Sequence, residues 1–402
     1  MQKHIYLQKN DVDMESLKAY YHKLLRETST DFQRYNFSTI NWKARMIGLT
    51  GARGVGKTTL ILQHIKLELP AEETLYATAD DFYFASHTLL DLADEFEKRG
   101  GKTLFIDEIH KYKEWSRELK MIYDYHPRLK VVFTGSSVLD INRGAADLSR
   151  RAVMYKMQGL SFREFLAMFK GIQSNTYSLQ EIIEHKVEIP EIEHPLPLFE
   201  EYLRCGYYPF MQEEDFSIRL QQIVSQTLEI DIPQYADMNV ATGRKLKQLM
   251  AIIAQNVPFK PNFTNIASLL GTSRNNISDY FLHIEESGLI GQLRDAAGGI
   301  NGFGKIDKVY LDNTNLQYGL IAEQPNIGNV RETFFFNQLK AKYDIFASPV
   351  SDFQISDMTF EVGGKSKKQK QIKDVAKGFV VKDNIEFGYS NIIPLWQFGM
   401  LY

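Results

Sequence analysis

The octapeptide Gly51-Ala-Arg-Gly-Val-Gly-Lys-Thr58 constrains this chain more than any other stretch, because it matches the phosphate-loop pattern G-x-x-x-x-G-K-[ST] in full. The pattern works only between a strand and a helix. Here the apolar run 45–50 precedes it and the helix-prone run 58–65 follows it. In that setting the backbone around Gly51, Ala52, Arg53, Gly54, Val55, Gly56, Lys57, Thr58 and Thr59 cradles phosphates, and the helix N-terminus adds partial positive charge. Lys57 reaches the β- and γ-phosphates as a point charge, and the Thr58 hydroxyl holds Mg²⁺.

A second strand, Thr103-Leu-Phe-Ile-Asp107, closes on two acids. Asp107 is placed to hold the metal through water. Glu108, one residue on, points elsewhere and is the candidate general base for the attacking water. A third strand, 129–134, ends in Gly135-Ser136-Ser137, which puts the Ser136 hydroxyl near the γ-phosphate or that water. Arg143, Arg150 and Arg151 follow, and an arginine after such a strand can stabilise charge on a transferring phosphoryl group. His110 reads as a hydrogen-bonded residue at a helix start, and Asp80-Asp81 as a helix cap. The short strand 73–78 extends an alternation of strands and helices that implies a parallel sheet covered on both faces.

The chain looks familiar from four stretches: the phosphate loop 51–58, Leu104-Phe-Ile-Asp-Glu-Ile-His110, Thr134-Gly-Ser-Ser137 and Leu160-Ser-Phe-Arg-Glu-Phe-Leu166. Together they resemble prokaryotic AAA+-type P-loop ATPases that carry a C-terminal domain of unknown function numbered 4143. The resemblance implies ATP as the nucleotide, an interior position for the phosphate-loop strand, and Arg151 as the finger arginine. The family usually shows Gly before that arginine; here Arg150 stands there. A finger arginine that acts across subunits would imply a homo-oligomer.

With 402 residues, two or three domains are expected. The net charge of −3 makes no global electrostatic case for nucleic acid. The single cysteine, Cys205, excludes an internal disulfide and fits a reducing compartment. No stretch is apolar enough to span a bilayer, and the N-terminus lacks the features of a secretory signal, so cytoplasmic residence is expected. Leu17, Tyr20, Tyr21, Leu24 and Leu25 share one helical face expected to dock on the sheet.

The expected fold class is α/β: a P-loop NTPase parallel sheet, then a winged helix-turn-helix unit and a small α+β nuclease-like domain. The boundaries fall at 1–40 for an N-terminal helical extension, 41–170 for the ATPase domain, 171–245 for a helical linker region, 246–325 for the winged helix and 326–402 for the nuclease-like end. In the winged-helix stretch, Ile266, Ala267, Leu270, Ile277, Tyr280 and Ile284 fill the angle between two helices, and the glycine-rich loop 298–304 joins two wing strands. Arg274, Asn275, Asn276 and Ser278 are the residues offered to DNA, while Asp279, Glu285 and Glu286 would repel it.

The last segment resembles the PD-(D/E)xK nuclease fold, with Glu332, Asp352 and Glu361 as carboxylates. Where that pattern needs a lysine, this chain has Gly363, and Lys365 lies beyond a Gly-Gly turn, so nuclease activity is not expected. The run from Lys365 to Lys373 is the densest basic patch and a second candidate for DNA contact, beside a solvated helix start. The preferred reading is an ATP-hydrolysing protein that couples nucleotide state to a protein partner. The alternative is a DNA-binding or DNA-processing protein that uses ATP as a switch.

Overall fold

The fold, from a computed structural model, is described for residues 2–136, 148, 150–296, 305–321, 323–367 and 372–402, with backbone alone over 2–13 and at 240. Ser137, Asn142, Arg143, Ser149, the loop 298–304 and, in the basic run, Lys368 and Lys370 lie outside the described residues. The chain forms two compact units, Met1–Met157 and Gln158–Tyr402.

The first unit is built on a five-stranded parallel sheet. Its strands are β1 (Met46–Gly51), β2 (Thr74–Thr78), β3 (Thr103–Asp107), β4 (Lys130–Ser136) and β5 (Val153–Met157), in the order β2–β3–β4–β1–β5. The strand entering the phosphate loop is interior, flanked by β4 and β5. All residues of β1 and β3 are buried, as the unbroken apolar runs require when helices cover both faces. Each fully buried Ile or Leu here, such as Ile47 and Leu49, stabilises the unit by about 1.5–3 kcal/mol.

Helix α1 (Gln2–Glu27) packs against β2 and against α2 (Lys57–Glu68). Among its described side chains Met14, Leu17 and Tyr21 are buried, whereas Tyr20 is exposed. Helix α2 follows the phosphate loop directly and buries Leu60, Ile61, Leu62 and Ile65. Helix α3 (Leu89–Lys98) opens with a capping box between Thr88 and Asp91, and α4 (Trp115–Tyr125) leads back to β4.

The second unit is mixed. Helix α5 (Phe162–Lys170), which opens with a Ser161–Glu164 capping box, belongs to it. The sequence assigned this stretch to the end of the first domain. Its aromatic residues explain the difference: Phe162 meets the rings of Phe199, Tyr202 and Trp396 at 5.4, 5.6 and 6.5 Å. Phe199 and Tyr202 lie on α6 (Pro195–Cys205). Helices α7 (Phe216–Gln226) and α8 (Val240–Asn256) follow, then α9 (Phe263–Leu269) and α10 (Arg274–Glu286), with an antiparallel pair β6 (Ile290–Arg294) and β7 (Ile306–Leu311).

After α11 (Thr314–Leu320) and α12 (Ile327–Leu339) comes a second sheet. It comprises β8 (Phe346–Ala347), β9 (Phe353–Ile355), β10 (Met358–Gly363), β11 (Gly378–Lys382) and β12 (Ile392–Pro394), ordered β12–β11–β10–β9–β8. Strands β10, β11 and β12 run parallel, and β8 and β9 join antiparallel. The stretches expected as linker, winged helix and nuclease-like end therefore share one compact unit.

Candidate functional site

Strand register brings the candidate residues together. Thr78 lies level with Asp107, and Gly51 level with Ser136, so these strands end along one edge of the sheet. Open parallel sheets bind ligands at that edge. The loop between β1 and α2 turns through Gly56 at φ 97°, a left-handed conformation in which any side chain would be strained. Lys57 is buried, and its Nζ donates to the Gly51 and Ala52 carbonyls at 2.8 and 3.0 Å, so the ammonium lies inside the loop. Thr59 faces solvent on the first turn of α2.

Asp107 is the hub. Its Oδ2 accepts from Thr58 Oγ1 at 2.6 Å and from the Tyr76 hydroxyl at 2.8 Å. Its Oδ1 accepts from the Glu108 N–H at 3.0 Å and from the Thr134 hydroxyl. A carboxylate has about four lone-pair sites, so these four donors satisfy it. Burial first, and then Asp107, push the Tyr76 phenol well above its ordinary pKa, which keeps it a proton donor.

Glu108 leaves the strand direction. Its φ of 50° is left-handed, which is uncommon for a residue with a side chain. Burial raises the Glu108 pKa, Lys57 opposes this, and the neighbouring Asp107 adds to it. His110 Nε2 stands 3.3 Å from Glu108 Oε2. The Ser136 N–H donates to His110 Nδ1 at 3.5 Å. His110 is thus a hydrogen-bonded residue, as expected, through the Ser136 amide, and its other ring nitrogen stands beside the candidate base. Ser136 is buried at the end of β4.

Arg151 is not brought to this cluster. Its Nε and a terminal nitrogen donate to the two Asp124 oxygens, each at 3.0 Å, and its guanidinium lies 5.9 Å from the Tyr123 ring. Arg45, immediately before β1, stacks on the same Tyr123 ring at 3.4 Å. That places Arg151 at the N-terminal ends of the strands, a full strand length of roughly 15–20 Å from the loop. Within its own chain, Arg151 is therefore not a finger arginine, because the end of α4 holds it at the opposite edge.

Three residues that the sequence reading did not single out complete the site. Tyr76 and Thr134 reach Asp107 from the two flanking strands. Arg34 is buried and donates to the Val55 carbonyl at 2.6 Å, which fastens the phosphate loop from outside. The residues before it are tied down too: Gln63 Nε2 on α2 donates to the Ser29 and Phe32 carbonyls at 2.9 and 2.8 Å.

In the second unit, the six apolar residues expected between α9 and α10 are all buried. Arg274, Asn275, Asn276, Ser278 and Asp279 are exposed. Glu285, however, turns inward: it accepts from the Gln292 N–H at 2.7 Å and pairs with Arg294 at 3.0 Å. It cannot act as the expected repelling charge on the exposed face. Lys365 lies exposed in a turn, away from Glu361; the ammonium beside Glu361 belongs to Lys367, at 3.1 Å.

No helix among the described residues is long and apolar enough to cross a membrane. Comparison with known proteins adds the following. The AAA domain family AAA_14 matches residues 43–166. A different family, a domain of unknown function designated DUF8612, matches 196–319, where the resemblance had pointed to domain 4143. An uncharacterized protein of Methanocaldococcus jannaschii, MJ1637, is 25% identical over 260 residues, 59% of this chain and 54% of that protein. The chain thus spans about half the length of this curated relative.

Among solved structures, C. elegans PCH-2 shares 17% identity over 70% of this chain and 69% of its own, with a TM-score of 0.26. The S. cerevisiae Hsp104–ADP complex shares 18% over 66% and 37%, with a TM-score of 0.28. Both scores are too low to define a shared overall arrangement. The phosphate loop, Asp107, Glu108, Tyr76 and Thr134 fall in 43–166, with Arg34 just ahead of it, and over 43–166 the chain carries an AAA-type P-loop domain.

Proposed function

We propose that this protein binds ATP with Mg²⁺ at the Gly51–Thr59 loop, hydrolyses it, and uses the nucleotide state to change how its C-terminal region engages a protein partner. One observation carries the reading: the Thr58 hydroxyl gives its proton to Asp107 at 2.6 Å, beside a buried lysine inside a phosphate loop. With its proton committed there, the Thr58 oxygen keeps its lone pairs for a hard cation, so the residues present suit Mg²⁺. Thr58 would hold it directly. Asp107, its own lone pairs filled, would act through Thr58. The bound ion would neutralise charge building between the β- and γ-phosphates.

The chain's own groups supply the rest. Loop amides and the α2 N-terminus bind the phosphates, and Lys57 adds a fixed positive charge. Glu108 orients and deprotonates the attacking water, with His110 Nε2 lying 3.3 Å from its Oε2. The Ser136 hydroxyl is the candidate hydrogen-bonding group at the γ-phosphate. Titration of purified protein with a fluorescent ATP analogue, with and without Mg²⁺, tests this reading; absence of magnesium-dependent binding overturns it.

A second reading, DNA binding with ATP as a switch, is favoured by one feature. α10 exposes Arg274, Asn275, Asn276 and Ser278, and Glu285 is withdrawn from that face, in keeping with a winged helix. Duplex binding across a salt series tests it, and no binding at low salt removes it.

A further inference from the structure

Glu332 on α12, Asp352 before β9 and Glu361 on β10 are the acids that a nuclease-like metal centre would use. The β9–β10 ladder pairs Phe353 with Phe360, so Asp352 and Glu361 occupy the next facing step. Carboxylates facing each other at about 5 Å between Cβ atoms repel unless a cation serves them both.

Here the cations are side chains. Lys308 on β7 puts its Nζ 3.0 Å from Glu332 Oε2 and 3.6 Å from Asp352 Oδ1. The Tyr310 hydroxyl also donates to Glu332 Oε2, at 2.8 Å, and the Val362 N–H donates to Asp352 Oδ2, at 2.9 Å. Burial works against the Lys308 charge, but Glu332 and then Asp352 outweigh it and raise its pKa. Lys367 pairs with Glu361 Oε1 at 3.1 Å, while Glu361 Oε2 has no hydrogen-bond partner among the described residues.

Gly363 makes the second pair possible. A Cβ at 363 would lie 2.6 Å from Lys367 Cγ and 2.7 Å from its Cδ, so the lysine stem fills the space that a side chain there would occupy. A divalent ion needs several oxygens free to close on it at about 2.0–2.6 Å. An ammonium already bridges two of these acids, and no group of three His, Cys, Asp or Glu among the described residues is arranged to hold a metal. The donor set does not fit the ion.

We propose that Lys308 and Lys367 are built-in counterions that replace a divalent cation, and that the three acids act as a clamp tying the β6–β7 pair and the 364–367 turn to the C-terminal sheet. The Lys308 ammonium keeps the cluster closed. Lys308→Met retains the stem, removes the charge and opens a site for a hard divalent cation between Glu332 and Asp352.

The test is Mn²⁺ binding followed by electron paramagnetic resonance, on the full chain without nucleotide, in an Asp107→Asn background that disables the phosphate-loop ion site. The parent should bind no Mn²⁺ at this cluster. Lys308→Met should bind one equivalent, roughly tenfold or more tightly than any residual parent binding. Adding Glu332→Gln should abolish it. A parent that binds Mn²⁺ and loses it on Glu361→Gln overturns the proposal, as does a folded Lys308→Met protein that binds none. If Lys308→Met does not fold, Lys308→Gln takes its place, and the parent arm alone still decides whether the lysines exclude the ion.

Discussion

The Thr58 hydroxyl and the Asp107 carboxylate, 49 residues apart, share a 2.6 Å hydrogen bond that joins the phosphate loop to the end of β3, across the intervening strand β4. Two residues that act on one ion through one bond should not contribute independently. Thr58→Ala and Asp107→Asn are each expected to weaken magnesium-dependent ATP binding, and the double variant should be little worse than either alone. A double-mutant cycle on nucleotide affinity measures this, with a coupling energy of about 0.5–3 kcal/mol expected. Additive losses would separate the two roles.

Lys57→Ala should reduce nucleotide affinity by roughly 10- to 100-fold, the worth of a charge-assisted contact of about 1.5–3 kcal/mol. The ammonium already lies among the loop carbonyls, so its loss leaves nothing else to replace it. Calorimetric titration with an ATP analogue reads the change directly.

Glu108→Gln should leave affinity close to that of the wild type and slow turnover by about 10²–10⁴-fold, the usual contribution of a positioned base. His110→Ala should slow turnover less, with little change in KM, because His110 acts through Glu108 rather than on substrate. A His110 variant that lost ATP affinity instead would place the ring in binding.

Arg151→Ala should leave ATP affinity unchanged, since Asp124 and Tyr123 hold that guanidinium at the opposite edge of the sheet. Equilibrium binding at low protein concentration, where subunit contacts are minimal, checks this.

His64 supplies a pH signature. It is buried on α2, stacked on Trp42 at 3.8 Å, and burial, aided by Lys130, lowers its pKa to about 4. An unfolded histidine titrates near 6.5, so between these values the unfolded chain binds the extra proton. Stability from this group is therefore complete above about pH 6.5 and falls as pH drops toward 4, by up to about 3 kcal/mol. His64→Phe should remove that part of the pH dependence. Urea unfolding at pH 7 and pH 4, for both proteins, tests it.

The phosphate loop and Asp107 were legible in the sequence because each is a local pattern: a glycine-bearing turn after a buried strand, and a buried strand ending in an acid. Tyr76 and Thr134 were not, because only strand register brings β2 and β4 alongside Asp107. That Arg151 lies away from the loop of its own chain was illegible for a related reason. Its distance along the chain from β4 said nothing about Asp124, which α4 delivers to the opposite edge. Gly363 correctly marked a missing lysine, but not that the Lys367 stem folds back over that glycine to reach Glu361.

Arg34 carries a consequence beyond its single bond to the Val55 carbonyl. Because the segment before the sheet grips the loop that grips the phosphates, order in one is thermodynamically linked to occupancy of the other, and the linkage is reciprocal. Saturating nucleotide should shield residues 28–37 from proteolytic cleavage, and Arg34→Ala should sever that protection while also loosening ATP. A ligand that ordered residues 28–37 would by the same linkage tighten the phosphate loop on nucleotide.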